Sequence, residues 1–179
     1  MEIMILSDSH SMKKNELMEL LNHQKVDCYI HCGDIFMPYE PLNLPHFHIV
    51  KGNNDFLIPD NELTLEIDGL KFYIVHGHRY EIDHGIALLK DYAKENHIDV
   101  VCFGHSHRPT CIRQEKTLYI NPGSVTYPRG QYRYPTYCIF NTETKAVTYY
   151  NAKDHTVCDP FSQPAKHKKS RFHLFKKKR

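Results

Sequence analysis

The sequence predicts an α/β fold in which a mixed sheet, or two sheets, is covered by helices. Three observations predict it. Short apolar runs alternate with stretches of helical periodicity through the first two-thirds of the 179 residues. The remainder is β-rich, with runs that pair as hairpins. No apolar run exceeds four residues, a length reached by Ile3–Leu6, Phe72–Val75 and Val100–Phe103. That suits short buried strands and excludes a membrane span of about twenty residues or a signal-peptide core of about seven to fifteen.

In chain order, Ile3–Leu6 is the first expected strand. Asn15–Gln24 follows as a helix with Leu17, Leu20 and Leu21 on one face. Cys28–His31 and His46–Val50 read as strands, and Glu62–Ile67 and Lys71–Val75 flank the hairpin pair Asp68-Gly69. Asp83 stands where it would cap a helix whose apolar face is Ile86, Leu89 and Ala93. Val100–Phe103, Leu118–Ile120, Tyr137–Phe140 and Ala146–Tyr150 complete the strands. From Asp159 onward the periodicity fails, because Pro160, Pro164 and a Lys/Arg run offer no apolar stripe. The chain is therefore expected to divide into a domain over residues 1–158 and a flexible basic tail over 159–179.

Composition narrows the function classes. Hydrophobic residues make up 41% and charged ones 25%, as in an ordinary globular domain. The net charge of +2 averages two unlike parts. Residues 166–179 carry eight Lys/Arg and no acid, whereas residues 1–165 carry fifteen Lys/Arg against twenty-one Asp/Glu. Overall basicity is thus no argument for a nucleic-acid-binding body; the positive charge belongs to the tail. The six cysteines form no CxxC pair, and several fall inside apolar runs. Read with the missing signal peptide, they point to buried thiols in a reducing cytoplasm.

Fourteen histidines are many for this length, and the informative ones fall just after the apolar runs. The first strand leads into Asp8-Ser9-His10, the second into Gly33-Asp34 and the third into Gly52-Asn53-Asn54-Asp55. Two later strands end in His76-Gly77-His78 and Gly104-His105-Ser106-His107. In open α/β sheets, ligands bind at the carboxyl ends of the strands. Imidazole, carboxylate and amide oxygen suit a borderline or hard divalent metal, and Asp-x-His and His-x-His spacing turns both side chains to one side of an extended segment. Seven such side chains are too many for one ion, unless some only support the ligands, and enough for two that share a carboxylate. The glycines at 33, 52, 77 and 104 allow tight turns and a close approach to a ligand. Singly, each motif has an ordinary explanation: Asp8-Ser9-His10 could cap a helix, Gly33-Asp34 could be a turn, and His31 or His76 could be a core histidine. Their joint occurrence, in order and always at a strand end, does not.

In order, Asp8-x-His10, Gly33-Asp34, Gly52-Asn53-x-Asp55, His76 and Gly104-His105-x-His107 resemble the signature of the calcineurin-like metallophosphoesterases. The short length, Asn121-Pro122-Gly123-Ser124 and Pro128-Arg129-Gly130 are similar to the small bacterial and archaeal phosphodiesterase branch. The resemblance covers about residues 1–150. It implies a four-layer α/β/β/α sandwich with a binuclear metal site at the strand ends. Asp8, His10, Asp34 and His107 would hold one ion, and Asp34, Asn53, His76 and His105 the other, with Asp34 bridging. Manganese is the expected metal, with iron, zinc, cobalt or nickel as alternatives. The implied reaction is hydrolysis of a small phosphodiester by a hydroxide that the metal pair supplies.

Position 54 departs from the family pattern. Many members carry histidine there as proton donor or phosphate contact, and this chain carries Asn54. An amide donates a hydrogen bond but delivers no proton. Asn54, Asp55 and His78 are the candidate catalytic residues, His78 as substrate contact or proton donor, with a structural role as its alternative. Arg129 would clamp a phosphate oxygen or, as the preferred reading, form a surface salt bridge. Asn121 reads as a turn-maker. Two rivals accompany the phosphodiesterase reading. One is a non-catalytic interaction scaffold of the same fold, as in a eukaryotic trafficking subunit with a damaged metal site. The other is a phosphoesterase recruited to RNA, DNA or an anionic surface by the tail, where Phe172, Leu174 and Phe175 interleave with the basic residues. The sequence leaves the oligomeric state open, a homo-oligomer included.

Overall fold

The computed structural model describes residues 1–38, 42 and 44–162. Strands β1 (Glu2–Leu6), β2 (Cys28–His31) and β3 (Phe47–Ile49) alternate with helix α1 (Lys14–His23) and loops. Strands β4 (Glu62–Ile67) and β5 (Leu70–Val75) form the hairpin expected around Asp68-Gly69. Two 3₁₀ turns, His78–Tyr80 and Ile82–His84, lead into α2 (Ala87–Glu95) and β6 (Val100–Phe103). Strands β7 (Thr110–Gln114), β8 (Thr117–Asn121), β9 (Thr136–Asn141), β10 (Val147–Asn151) and β11 (Val157–Cys158) follow.

They build two mixed sheets, ordered β11-β10-β9-β1-β2-β3 and β4-β5-β6-β8-β7. Register positions the site. β1, β2 and β3 run parallel with Leu6 opposite His31 and His31 opposite Ile49, so the loops that follow these strands emerge side by side. In the other sheet β5 and β6 run parallel with Val75 opposite Phe103, which places His76 beside Gly104. Parallel strands need crossover connections, and the α1 and α2 segments supply two of them.

Both faces of each sheet are covered, which is why the strands read as unbroken apolar runs instead of alternating ones. Ile3, Ile5 and Ile30 of one sheet meet Phe72, Ile74 and Ile120 of the other in a shared core. Met4 and Leu6 point to the opposite face and pack with Leu17, Leu20 and Leu21 of α1. Tyr73, Val75 and Phe103 pack with Leu89 and Ala93 of α2. The layers are therefore helix, sheet, sheet, helix. Each fully buried aliphatic side chain adds roughly 2 kcal/mol by removal from water. Cys28, Cys32, Cys102 and Cys138 lie in the inter-sheet core as free thiols, and burial raises the pKa of each. Cys111 is exposed and Cys158 half-buried, so the buried-thiol reading covers four of the six.

Three local expectations change. Asp83 caps nothing on α2, whose N-cap residue is Ile86; it lies in the turn Ile82–His84. Strand β7 was not expected, because four of its five side chains are exposed and it lacks an apolar stripe. Strand β11 is two residues long, too short for any periodicity. The basic run 166–179 lies outside the described residues. Of the expected tail, Asp159–Ser162 are described: the Asp159 carboxylate accepts the Phe161 and Ser162 N–H groups, and the Phe161 ring packs edge-on to Tyr149 at 5.3 Å.

Candidate metal centre

The chain turns sharply at the end of each site-bearing strand. Asp8, His10, Asp34, His105 and His107 all have positive φ, between 40° and 63°, a conformation rare for side-chain-bearing residues and frequent at functional sites. Backbone bonds between neighbouring loops hold these turns: the Asp8 N–H donates to the Gly33 carbonyl at 3.0 Å and the His10 N–H to the Asp34 carbonyl at 2.9 Å. Ser124 and Thr126 each donate a hydroxyl to the Asp8 carbonyl at 2.8 Å. The glycines at 52 and 104 serve the packing of loops on one another: a Cβ on Gly52 would strike Asp34, and one on Gly104 would strike Ser7.

Seven side chains converge there. His107 Nε2 lies 3.2 Å from Asp8 Oδ1 and 3.2 Å from His10 Nε2. Asp34 Oδ2 lies 3.8 Å from His10 Nε2 and 3.6 Å from His76 Nε2, between the two groups of imidazoles. Asn53 Oδ1 lies 3.2 Å from His76 Nε2 and 3.0 Å from His105 Nδ1. Asp8, Asp34, His76 and His107 are buried.

The outer hydrogen bonds assign the ring nitrogens. His76 Nδ1 faces the Cys32 carbonyl at 2.7 Å and His107 Nδ1 the Tyr127 carbonyl at 2.6 Å. A carbonyl only accepts, so both Nδ1 atoms carry a proton and both Nε2 atoms turn inward. His105 reaches Asp83 Oδ2 through Nε2 at 3.4 Å, leaving Nδ1 toward Asn53. Asp8 Oδ2 accepts from the Ser7 hydroxyl at 2.7 Å and the His105 N–H at 3.1 Å. Asp8 Oδ1 is buried and has no hydrogen-bond donor in the structure. Carboxylate oxygens, an amide oxygen and imidazole nitrogens thus face one another. Such a set of buried electron pairs is costly alone and is satisfied by cations.

Two groups could each hold an ion: Asp8 with His10 and His107, and Asp8 with Asp34 and His76. Protonation follows the same logic. Burial drives the Asp8 carboxyl up, but the contact with His107 and the neighbouring His76 and His107 charges outweigh it and leave its pKa below the ordinary value. Burial lowers His107, and its contact with Asp8 reverses that and raises it overall. Burial lowers His10 and His105, and pushes His78 down to about 4.

The remaining expected residues sit differently. Asp55 is no free carboxylate: it accepts the backbone N–H groups of Asp34, Ile35, Phe36 and Gly52 at 2.7–3.0 Å and is 4% exposed. It holds the loop that presents Asp34. Asn54 donates through its backbone N–H to Asp34 Oδ1 at 2.9 Å and through Nδ2 to Asp34 Oδ2 at 2.8 Å. His78 lies 5.5 Å from the His76 ring, and its buried Nδ1 has no partner in the structure. Arg129 donates its backbone N–H to the His107 carbonyl at 3.0 Å, and its guanidinium forms no ion pair among the described residues, contrary to the salt-bridge reading. Asn121 is a brace as well as a turn-maker, donating to the Gly104 carbonyl at 2.8 Å and accepting from the Gly123 N–H at 2.9 Å. Sequence reasoning missed Ser7, Ser124 and Thr126, and it gave Asp83 the role of a helix cap instead of a partner of His105. Only Ser124, inside the quoted Asn121–Ser124 segment, carried a signal.

A profile of the calcineurin-like phosphoesterase superfamily domain matches residues 1–145. The chain belongs to that superfamily. A probable metallophosphoesterase of Bacillus subtilis, YsnB, is 35% identical over 150 residues, covering 83% of this chain and 88% of that protein. The phosphodiesterase MJ0936 of Methanocaldococcus jannaschii is 33% identical over 168 residues, covering 81% of this chain and 95% of that one. A crystal structure of a protein from Streptococcus pneumoniae, described as a predicted phosphoesterase, superposes with a TM-score of 0.80 at 31% identity. It covers 88% of this chain and 92% of that one. The chain is a metal-dependent phosphoric ester hydrolase of the small bacterial and archaeal branch. Among the described residues, no helix is long and apolar enough to cross a membrane.

Proposed function

We propose that this superfamily member is a binuclear phosphodiesterase. The observation that carries the reading is the inward-facing donor set, in which Asp34 Oδ2 lies within 4 Å of an imidazole from each of two groups. One ion would be held by Asp8, His10, Asp34 and His107, the other by Asp34, Asn53, His76 and His105. Mixed carboxylate, amide and imidazole donors suit manganese, with iron, zinc, cobalt or nickel as alternatives. Bound divalent ions supply an ionised water near neutral pH and neutralise phosphoryl charge.

The chain's own residues do the rest. Asn54 fixes both oxygens of Asp34, and Asp55 fixes the backbone beneath it. Arg129, whose backbone N–H donates to the His107 carbonyl, would clamp a phosphate oxygen through its guanidinium. Asn54 offers no proton to a leaving group, which favours diesters with good leaving groups: the aryloxide departs unprotonated, and the singly charged diester repels hydroxide less than a monoester does. The scaffold alternative is disfavoured because all seven ligand positions keep metal-competent side chains. The test is a panel of phosphodiesters and phosphomonoesters assayed with each divalent metal, alongside metal analysis. Two ions per chain and preferential turnover of bis(p-nitrophenyl) phosphate over alkyl monoesters are expected. One ion in the fully active protein, or a wide preference for monoesters, overturns the reading.

A further inference from the structure

The loop after β3 and the loop after β2 form a cleft of about 420 Å³ against the metal centre. Phe36, Met37, Phe56 and Leu57 line it together with Asn53 and Asn54. Asn53 belongs to the ligand set and Asn54 holds Asp34, so the cleft opens directly off the site. Its volume falls in the range that takes a small organic group, and its walls are largely apolar with a few polar atoms at one end, as ligand sites generally are.

Two features make this more than a gap between loops. The first is a concentration of exposed apolar surface. Phe56 is 91% exposed, Leu57 61% and Phe36 50%, and all three line this one cleft. Large apolar side chains clustered at the surface mark binding sites far more often than scattered ones do. The second is the backbone of Phe36. Its φ is +60°, which a bulky side chain rarely adopts and glycine would adopt freely. Asp55 holds it there by accepting its N–H at 2.9 Å. The half-exposed ring is not needed to fill the core. It stands edge-on to the His10 ring at 4.8 Å, between the ligand cluster and the cleft. A strained residue whose side chain is displayed at a site mouth points to recognition.

We propose that this cleft seats a planar aromatic group of the substrate, an aryl ring or a nucleobase, esterified to the phosphorus that sits at the metal-ligand cluster. The inference rests on the phosphodiesterase reading and adds its substrate class. Phe36 and Phe56 offer ring faces and edges, which favour a flat π-system over an alkyl chain of similar area. A diester has two organic groups, so one can depart as leaving group while the other remains in the cleft. Phe36, Phe56 and Leu57 are specificity residues on this account and take no part in bond breaking.

The test uses diesters that share the p-nitrophenyl leaving group and differ in the retained group: ethyl, phenyl or 5′-thymidyl. The wild-type chain is expected to turn over the phenyl or thymidyl ester with kcat/KM at least about tenfold above the ethyl ester. Comparison of those two arms distinguishes a plain aryl from a nucleoside. The doubly substituted chain Phe36→Gly with Phe56→Ala should bring that ratio near one through a raised KM for the phenyl and thymidyl esters; glycine suits the positive φ at position 36, and thermal denaturation of the variant checks that it is folded. A ratio near one in the wild type, or an unchanged ratio in the variant, overturns the proposal. Calorimetric binding of phenylphosphonate and methylphosphonate gives a readout that needs no turnover. Tighter phenylphosphonate binding that is lost in the variant supports the cleft even if no diester is hydrolysed, a result that would remove only the phosphodiesterase reading. Equal binding of the two phosphonates overturns the cleft.

Discussion

The edge of the sheet carrying β1, β2 and β3 supplies the oxygen donors of the candidate site, Asp8, Asp34 and Asn53, with a single imidazole, His10. The edge carrying β5 and β6 supplies only imidazoles, His76, His105 and His107. The two halves are held in opposite ways. On the oxygen side, carboxylates are fixed by donors: Ser7 and the His105 N–H on Asp8, Asn54 on Asp34, and four backbone N–H groups on Asp55. On the nitrogen side, imidazoles are fixed by acceptors: the Cys32 and Tyr127 carbonyls and the Asp83 carboxylate. Some of these anchors cross between sheets. Cys32, at the end of β2, orients His76, and His105, at the end of β6, holds Asp8. Each half is preorganised by the other, so the site is a property of the closed sandwich and of neither sheet alone.

The comparison can be broken most severely on the oxygen side. Asp34→Ala removes the carboxylate that stands between the two imidazole groups, and turnover should fall by about a thousandfold or more, with metal content dropping below that of the wild type. Metal analysis of the purified, folded variant checks it; retention of both full activity and full metal content would refute a bridging role. Asp55→Ala tests the scaffold beneath. It would leave four backbone N–H groups without their acceptor, at about 1 kcal/mol or more each, so the domain should lose at least roughly 4 kcal/mol of stability. For a domain of this size that is a fall in melting temperature of about 8–16 °C by thermal denaturation. A near-wild-type melting temperature with lost turnover would return Asp55 to a catalytic role.

Two buried histidines at strand ends sharpen the contrast. His76 turns Nε2 to the site, whereas His31 is satisfied within the fold: its Nδ1 accepts from the Gly33 N–H at 3.2 Å and its Nε2 faces the Ser9 hydroxyl at 3.0 Å. Burial pushes His31 down to about 4, against about 6.5 in an unfolded chain. The unfolded state therefore binds the extra proton first. This stabilisation is complete above about pH 6.5 and is lost as pH falls toward 4, about 2 kcal/mol between pH 7 and pH 5 from this residue. Denaturant unfolding of metal-free protein at the two pH values checks it, with His31→Gln expected to show the smaller loss. The mildest change lies on the nitrogen side. Asp83→Ala frees His105 Nε2 and should weaken binding of one metal by about tenfold, with little effect on folding, since Asp83 is half-exposed. A metal titration that leaves both affinities unchanged would make the Asp83 contact incidental.

Much of this arrangement is legible in the chain itself. The apolar runs of β1, β2, β5 and β6, the leucine face of α1 and the Asp68-Gly69 hairpin are written in short-range periodicity, and periodicity is local. The motifs that follow those strands are equally local, which is why Asp8, His10, Asp34, Asn53, His76, His105 and His107 could be named as one group. β7 escaped because its exposed side chains carry no stripe, and Asp83 was misread because an acid just before a helix looks like a cap. Only tertiary structure decided which atoms of the named residues are free. The Asp8–His105 and His10–His107 contacts each join residues 97 positions apart. The proton on His76 is set by a carbonyl on a different sheet, and Asp55 is saturated by backbone groups that converge only when the loops after β2 and β3 meet. Sequence determined which chemistry is carried to the strand ends, because composition and spacing are one-dimensional. The packing of two sheets determined its protonation and orientation, because a hydrogen bond requires its partner within about 3 Å and no local pattern encodes that distance.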